Sequence, residues 1–364
     1  MNNNLRIIRS IAFAGAKRGC VSLRLVLLAL APLAVVLAAT PAYSNTLAIT
    51  PTFDSSITGN ANAAAIESSI NQAIGIYQGL FADNTTVNIL FRYSTTEVDG
   101  TTPLGGGLLA RSNYVFYAEP SNTYINALKA DATTANDATA IANLPASFPT
   151  NIDPSSANGR AVGLNTPGVM TATGKIGGGT FDGIVTLNSN QPFQFNRSGG
   201  ISAGNYDAQR SIEHEIDEVL GLGSILPATT DFTNSTAIRP QDLFRYSAPG
   251  VASLNSSGTA TSYFSIDGGN TNIVGFNQNS GGDFGDWLST PCPQTNPFVQ
   301  NAFSCQGQMS DVSATSPEGI NLDVIGYDLV TAPEPGTLVL LGAGLVFAGL
   351  AKRRGGKRIN WQVA

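Results

Sequence analysis

The only histidine among 364 residues, His214, is followed directly by Glu215 and four residues later by Glu218. An imidazole nitrogen and a carboxylate oxygen are both ligands for a divalent metal ion. A helix brings residues i and i+4 onto one face, one turn apart, where two such ligands can converge. A further carboxylate beside that face, outside the coordination positions, can act as base toward a water molecule at the ion. The residue types and spacing of His214, Glu215 and Glu218 therefore predict metal-assisted hydrolysis. The competing interpretation of the string is a solvated acidic helix face, because Glu213 and Asp217 belong to it as well.

The segment SIEHEIDEVLGLGS, residues 211–224, has the periodicity to hold these groups. At about 100° per residue, Ile212, Ile216, Val219 and Leu220 fall within roughly 100° of arc and make a core-facing stripe. The helix is expected to begin near Asn205 or Tyr206 and to end at Gly221 as a glycine cap. Its pattern resembles the zinc-protease helix H-E-x-x-H, with a carboxylate replacing the second imidazole. Zinc is the expected ion, with selectivity loosened because carboxylate is a harder ligand than imidazole.

A third ligand has to come from elsewhere, and it cannot be histidine. Ser224, three residues past Gly221, is a poor donor. Asp242 in RPQDLFRYSAPG, residues 239–250, is the predicted third ligand; its other available role is to cap a helix or pin a turn. Tyr246 in the same segment is predicted to donate to a developing oxyanion, and Arg245 to pair with a carboxylate. Asp267, Asp283 and Asp286, in glycine-rich turns of residues 263–287, form a candidate calcium group outside any twelve-residue EF-hand loop. Met309 lies in a polar loop before the last helix, where metzincins place a methionine turn beneath the metal.

Other elements are expected to position this helix. Residues 46–53 read as a strand, 60–81 as a helix with inward Ile66, Ile70, Ile74, Tyr77 and Leu80, and TVNILFRY, 86–93, as a central strand. A strand is expected at 114–117 and two short helices within 120–144. Residues 184–187 with 193–195 read as a hairpin or edge strand in front of the active helix, where a zincin would hold its substrate. Residues 263–287 suggest a β-hairpin, and 321–329 a closing helix or turn.

Both ends carry addresses. Arg6, Arg9, Lys17, Arg18 and Arg24 precede the apolar run LVLLALAPLAVVLAA and the small residues Ala42 and Ser44, the pattern of a signal peptide over 1–44 cleaved after Ser44. At the other end, Pro333-Glu334-Pro335, an apolar run over 336–350 and a basic cluster ending at Arg358 resemble a PEP-CTERM sorting signal over 333–358. That resemblance implies transient anchoring of the short transmembrane segment in the inner membrane. Processing by an exosortase and release to the cell surface or beyond would follow. The two ends hold ten of the 19 basic residues but only Glu334 of the 25 acids, leaving 9 against 24 and a charge near −15 between them. That balance excludes a nucleic-acid footprint and suits cation binding. With Cys20 lost in the leader, Cys292 and Cys305 are expected to pair in an oxidising compartment.

HEIDEVLG, DLFRYSAPG, YFSIDGGNTN, GDFGDW and LDVIGYDL together resemble a family of secreted bacterial metalloproteases that carry HExxE in place of HExxH. The resemblance spans residues 45–330. It implies an α+β, zincin-like (metzincin/matrixin-like) single domain with an active-site helix and a mixed sheet. It also implies that His214 and Glu218 ligate the metal and that Glu215 is the general base. The expected activity is that of an exported metal-dependent peptidase acting on a peptide or protein, with signal peptidase and exosortase as processing partners. Two alternatives come from other classes: a catalytically inactive zincin-like structural or adhesive protein of the extracellular matrix, and a glycosidase using Glu215 and Glu218.

Overall fold

In Thr86–Ser94, strand alternation sends Val87, Ile89 and Phe91 into the main core and Leu90 to the opposite side. This strand is second in a four-stranded sheet. The strands are β1 (Ala48–Phe53), β2 (Thr86–Ser94), β3 (Ala110–Tyr114) and β4 (Gly183–Asn188), in spatial order β1-β2-β4-β3. The first three in that order run parallel, and β3 pairs antiparallel with β4 to form the edge. The protein, seen in a computed structural model, is described here over residues 47–227 and 235–330. The signal peptide expected at 1–44 and the sorting segment expected at 333–358 lie outside the described residues. Among the described residues, no helix is long and apolar enough to cross a membrane.

Two long helices, α1 (Ala63–Leu80) and α2 (Ala208–Leu220), share the main core with β2. Ile66, Ile70 and Ile74 of α1 and Ile212, Ile216 and Val219 of α2 are all buried in it, so the predicted apolar stripes do face inward. A polar clamp joins the helices: the Tyr77 hydroxyl lies 2.8 Å from the Glu213 carbonyl oxygen and 2.9 Å from Asp217 Oδ1. Asp207 caps α2 by accepting from the Gln209 N–H and is itself gripped by Arg197 through Nε and Nη2. Gly221 ends the helix at φ 131°, a backbone conformation that only glycine adopts without strain. Beneath it, Gly183 of β4 permits close packing: a Cβ there would stand 2.6 Å from Val219 Cγ2.

Around this frame, helices Ser121–Asp131 and Ala135–Ala142 match the expected pair, and Tyr263–Phe264 with Val274–Gly275 forms the expected hairpin. The closing helix, α3 (Pro317–Val324), begins earlier than the sequence suggested because Ser316 caps it and Pro317 fits its first turn. The expected edge strand at 184–187 is instead interior. Every residue of β4 is buried, as befits a strand covered on both faces. The Phe193–Gln194 segment pairs in parallel with Tyr206–Asp207 and belongs to a different sheet. Cys292 and Cys305 are joined by a disulfide across a separation of 13 residues.

Three aspartates packed between these elements favour the protonated form. Burial, then the charge of Asp328, raises Asp83 to about 8 and Asp131 to about 7, while burial, then Asp137, raises Asp323 to about 7. The folded chain thus keeps protons that the unfolded chain releases near pH 4. The stability these groups contribute is present below that value and is lost as pH climbs through their raised values. In the presence of EDTA, the thermal midpoint followed by circular dichroism should therefore fall between about pH 5 and about pH 9. A midpoint that rises steadily across that window would contradict this account.

Candidate metal centre

The acids of α2 do not form a solvated face. Glu213 and Asp217 are fully buried, and each has dedicated partners. Glu213 accepts from Gln209 Nε2 at 3.0 Å and from the Val312 N–H at 2.8 Å, while Asp217 accepts from Tyr77. Burial raises the pKa of both carboxyls well above the usual range. The other side of the helix turns His214, Glu215 and Glu218 toward a cleft of about 850 Å³.

At the floor of that cleft three side chains converge. His214 Nε2 stands 3.9 Å from Glu218 Oε1 and 3.7 Å from Asp286 Oδ1. One ligand atom from each of His214, Glu218 and Asp286 lies within 4.8 Å of the others. Around an ion with bonds of about 2.1 Å, neighbouring ligand atoms stand roughly 3–4 Å apart, so the spacing suits a shared cation. The opposite ring nitrogen of His214, Nδ1, lies 3.1 Å from the Val299 carbonyl oxygen. Because that oxygen can only accept, Nδ1 carries the proton and Nε2 presents its lone pair to the cluster. Side-chain exposures of 18% for His214, 16% for Glu218 and 6% for Asp286 leave the cluster reachable from the cleft.

Glu215 lies beside this group and lines the same cleft. Burial, followed by the charges of Glu218 and Asp286, raises its pKa well above the usual carboxyl range. Burial does the same to Glu218, to which the Ser112 hydroxyl donates from β3. Like charges at this distance, half out of water, require either protons or a cation between them.

The structure does not bring Asp242 to this point. Its carboxylate accepts from Ser224 Oγ at 2.6 Å, the Ile225 N–H at 2.9 Å and the Arg239 N–H at 3.0 Å. It thus pins the loop after α2 against the short helical turn Pro240–Phe244, and it is absent from both the ligand cluster and the cleft lining. The third residue of the cluster is instead Asp286, from the GDFGDW segment that the sequence offered only as a calcium candidate. Tyr246 is also elsewhere: its hydroxyl donates to the Asn143 carbonyl at 3.2 Å, beside a second, smaller pocket. Two tyrosines line the cleft, Tyr114 and Tyr206, and burial holds the Tyr114 phenol well above its usual pKa. Met309 is exposed in its loop, and Asp267 is occupied by its own turn, accepting from Ser265 and Thr271.

β3 forms one wall of the cleft. The Val115 N–H donates to Asp182 and the Asn188 N–H to Leu109, so in this register the odd-numbered residues of β3 bond to β4. The N–H and C=O groups of Ala110, Ser112 and Tyr114 consequently point away from the sheet. The opposite wall comes from 280–283, 299 and 301–304, and the disulfide Cys292–Cys305 closes the loop that contains the last two. Neither the edge strand nor this wall carries a sequence periodicity that would have revealed it.

Residues 331–354 match the PEP-CTERM protein-sorting motif. No curated protein and no solved structure matches the chain. The motif marks the chain for exosortase processing and export to the cell surface, an oxidising setting in which the Cys292–Cys305 bond persists.

The two aspartates should therefore separate on substitution. Asp242→Ala strands three donors and should cost about 3 kcal/mol of stability, measured by denaturant unfolding, with divalent-cation affinity unchanged. Asp286→Ala should weaken the cation affinity, measured by calorimetry. Equal losses of affinity from both substitutions would contradict the assignment.

Proposed function

We propose that the chain is an exported metal-dependent peptidase with a zincin-like site. The observation that carries this reading is the convergence of His214, Glu218 and Asp286 beside Glu215, at the floor of a cleft walled by a free strand edge. His214 and Glu218 are the proposed ligands from α2, and Asp286 is proposed in place of Asp242. Zinc is the proposed ion, with the oxygen-rich donor set widening tolerance toward other divalent cations. When bound, the ion supplies a Lewis acid that polarises a peptide carbonyl and acidifies a water molecule.

The chain's own groups divide the remaining tasks. An extended peptide lies along β3 and pairs with the outward N–H and C=O groups of Ala110, Ser112 and Tyr114. Glu215 takes the proton of the attacking water and passes it to the leaving amine. Its surroundings suit that duty, because burial and neighbouring acids favour holding a proton between the two transfers. The Tyr114 phenol, in the same cleft, takes the oxyanion-donor role that the sequence assigned to Tyr246.

The sorting motif also suits a second reading, a catalytically inactive zincin-like protein of the extracellular matrix. Casein hydrolysis and metal content, measured together on the purified exported protein, distinguish the two. Glu215→Ala should reduce hydrolysis by a factor of about 10²–10⁴ and keep the metal, whereas His214→Ala should lose the metal. Cleavage by Glu215→Ala at the wild-type rate would overturn the assigned role. A wild-type protein that holds metal and cleaves nothing would favour the matrix reading.

A further inference from the structure

Gln300 touches the cluster and has no task in the scheme above. Its main chain is held on both sides: the N–H donates to Glu318 Oε1 at 2.9 Å, and the carbonyl accepts from the Trp287 N–H at 2.8 Å. The residue is 1% exposed, so its amide is cut off from bulk water. The amide nitrogen of Gln300 forms the tip: it donates to Asp286 Oδ1 at 2.9 Å and stands 3.4 Å from His214 Nε2. Those are two of the three atoms that converge at the cleft floor. The amide oxygen at the other corner is buried and has no hydrogen-bond partner.

Two physical arguments bear on which corner faces the cluster. With the His214 Nδ1 proton committed to Val299, the Nε2 lone pair can receive an amide hydrogen or a cation, but not both. An amide N–H aimed at the common centre would also oppose a divalent ion placed there. A half-turn about the terminal bond gives up the hydrogen bond to Asp286, which an ion shared by both groups would replace, and changes the shape little, because the nitrogen and oxygen of an amide are nearly the same size. The unpartnered oxygen then occupies the tip. Separations of 2.9 and 3.4 Å are the edges expected between ligands at right-angle and tetrahedral positions around an ion with bonds of about 2.1 Å.

We propose that Gln300 is a fourth side chain of the cation site, presenting its amide oxygen beside His214, Glu218 and Asp286. The inference rests on the cation site read above and adds a ligand to it. Two consecutive residues then serve one imidazole from opposite sides: the Val299 carbonyl fixes its tautomer, and the Gln300 amide shares its ion. A neutral oxygen donor leaves the two ligating carboxylates to balance a divalent charge and favours harder ions such as Mn²⁺.

The test is calorimetric titration of the purified exported protein, stripped with EDTA, with Mn²⁺ and separately with Zn²⁺. Gln300→Met keeps the length of the side chain but removes the amide, and should weaken Mn²⁺ binding about tenfold or more. Gln300→Glu keeps an oxygen at the tip and removes the N–H, and should bind Mn²⁺ at least as tightly as wild type. Thermal melting supplies a second readout that survives a weakened metal-free fold. The gain in midpoint on adding Mn²⁺ should be larger than wild type for Gln300→Glu and smaller for Gln300→Met. If Gln300→Glu loses affinity as Gln300→Met does, the amide serves as a donor to Asp286 and the proposal is wrong. It is equally wrong if Gln300→Met binds like wild type. The underlying cation site fails separately, when wild type binds neither ion or when His214→Ala binds both unchanged.

Discussion

Of the four acids in the six residues Glu213 to Glu218, three are buried and Glu218 is half-buried at the cleft, and the electrostatics of that arrangement governs everything built around it. Carboxylates lose far more hydration on burial than a few hydrogen bonds return, so each must find a partner, keep its proton or share a cation. The inward pair follows the first two routes: Glu213 accepts from Gln209 and Val312, and Asp217 from Tyr77. The outward pair, Glu215 and Glu218, meets a further acid, Asp286, and the influence of Arg111 on Glu215 and of His214 on Glu218 does not offset their burial. A divalent cation resolves that conflict most directly, and the lone pair of His214 Nε2 is aimed at the same point. Binding such an ion only in the folded state would stabilise the fold by mass action.

The surrounding architecture holds that point in place from three directions. Gly183 lets α2 lie close against β4, and the Asp207 and Gly221 caps fix where the helix starts and stops. β3 brings Ser112 onto Glu218 while leaving its outer edge free. The segment that carries Asp286, Val299 and Gln300 has little regular structure. The Cys292–Cys305 bond tethers the latter part of it, and Glu318 of α3 accepts from both the Gln300 N–H and Trp287 Nε1. Closing a loop of this size removes about 3 kcal/mol of freedom from the unfolded chain, a useful contribution where secondary structure supplies little.

What the sequence made legible follows from where periodicity exists. His214, Glu215 and Glu218 could be placed relative to one another because helical spacing fixes their angles, and β1, β2 and α1 were readable from their alternation and apolar stripe. Asp242 was chosen as third ligand for its nearness along the chain, yet its oxygens are consumed by the loop it pins. Asp286 arrives from a glycine-rich stretch in which no repeat of hydrophobicity indicates direction. The same blindness assigned to the site Tyr246, which lies beside another pocket, and put the edge strand at 184–187, because a buried apolar strand and an exposed edge differ in their neighbours more than in their residues. Export was expected from both ends, since charge beside an apolar run is a property of sequence alone, and the match over residues 331–354 supports it at the C-terminal end.

The account depends on an ion held by one nitrogen and several oxygens at the floor of the cleft. Anomalous diffraction at the zinc absorption edge, from crystals of the exported protein grown with Zn²⁺, measures this directly. A single strong peak within bonding distance of His214 Nε2, Glu218 and Asp286 is the result the account predicts. A featureless map at that position, or a peak confined to other surface carboxylates, would contradict it.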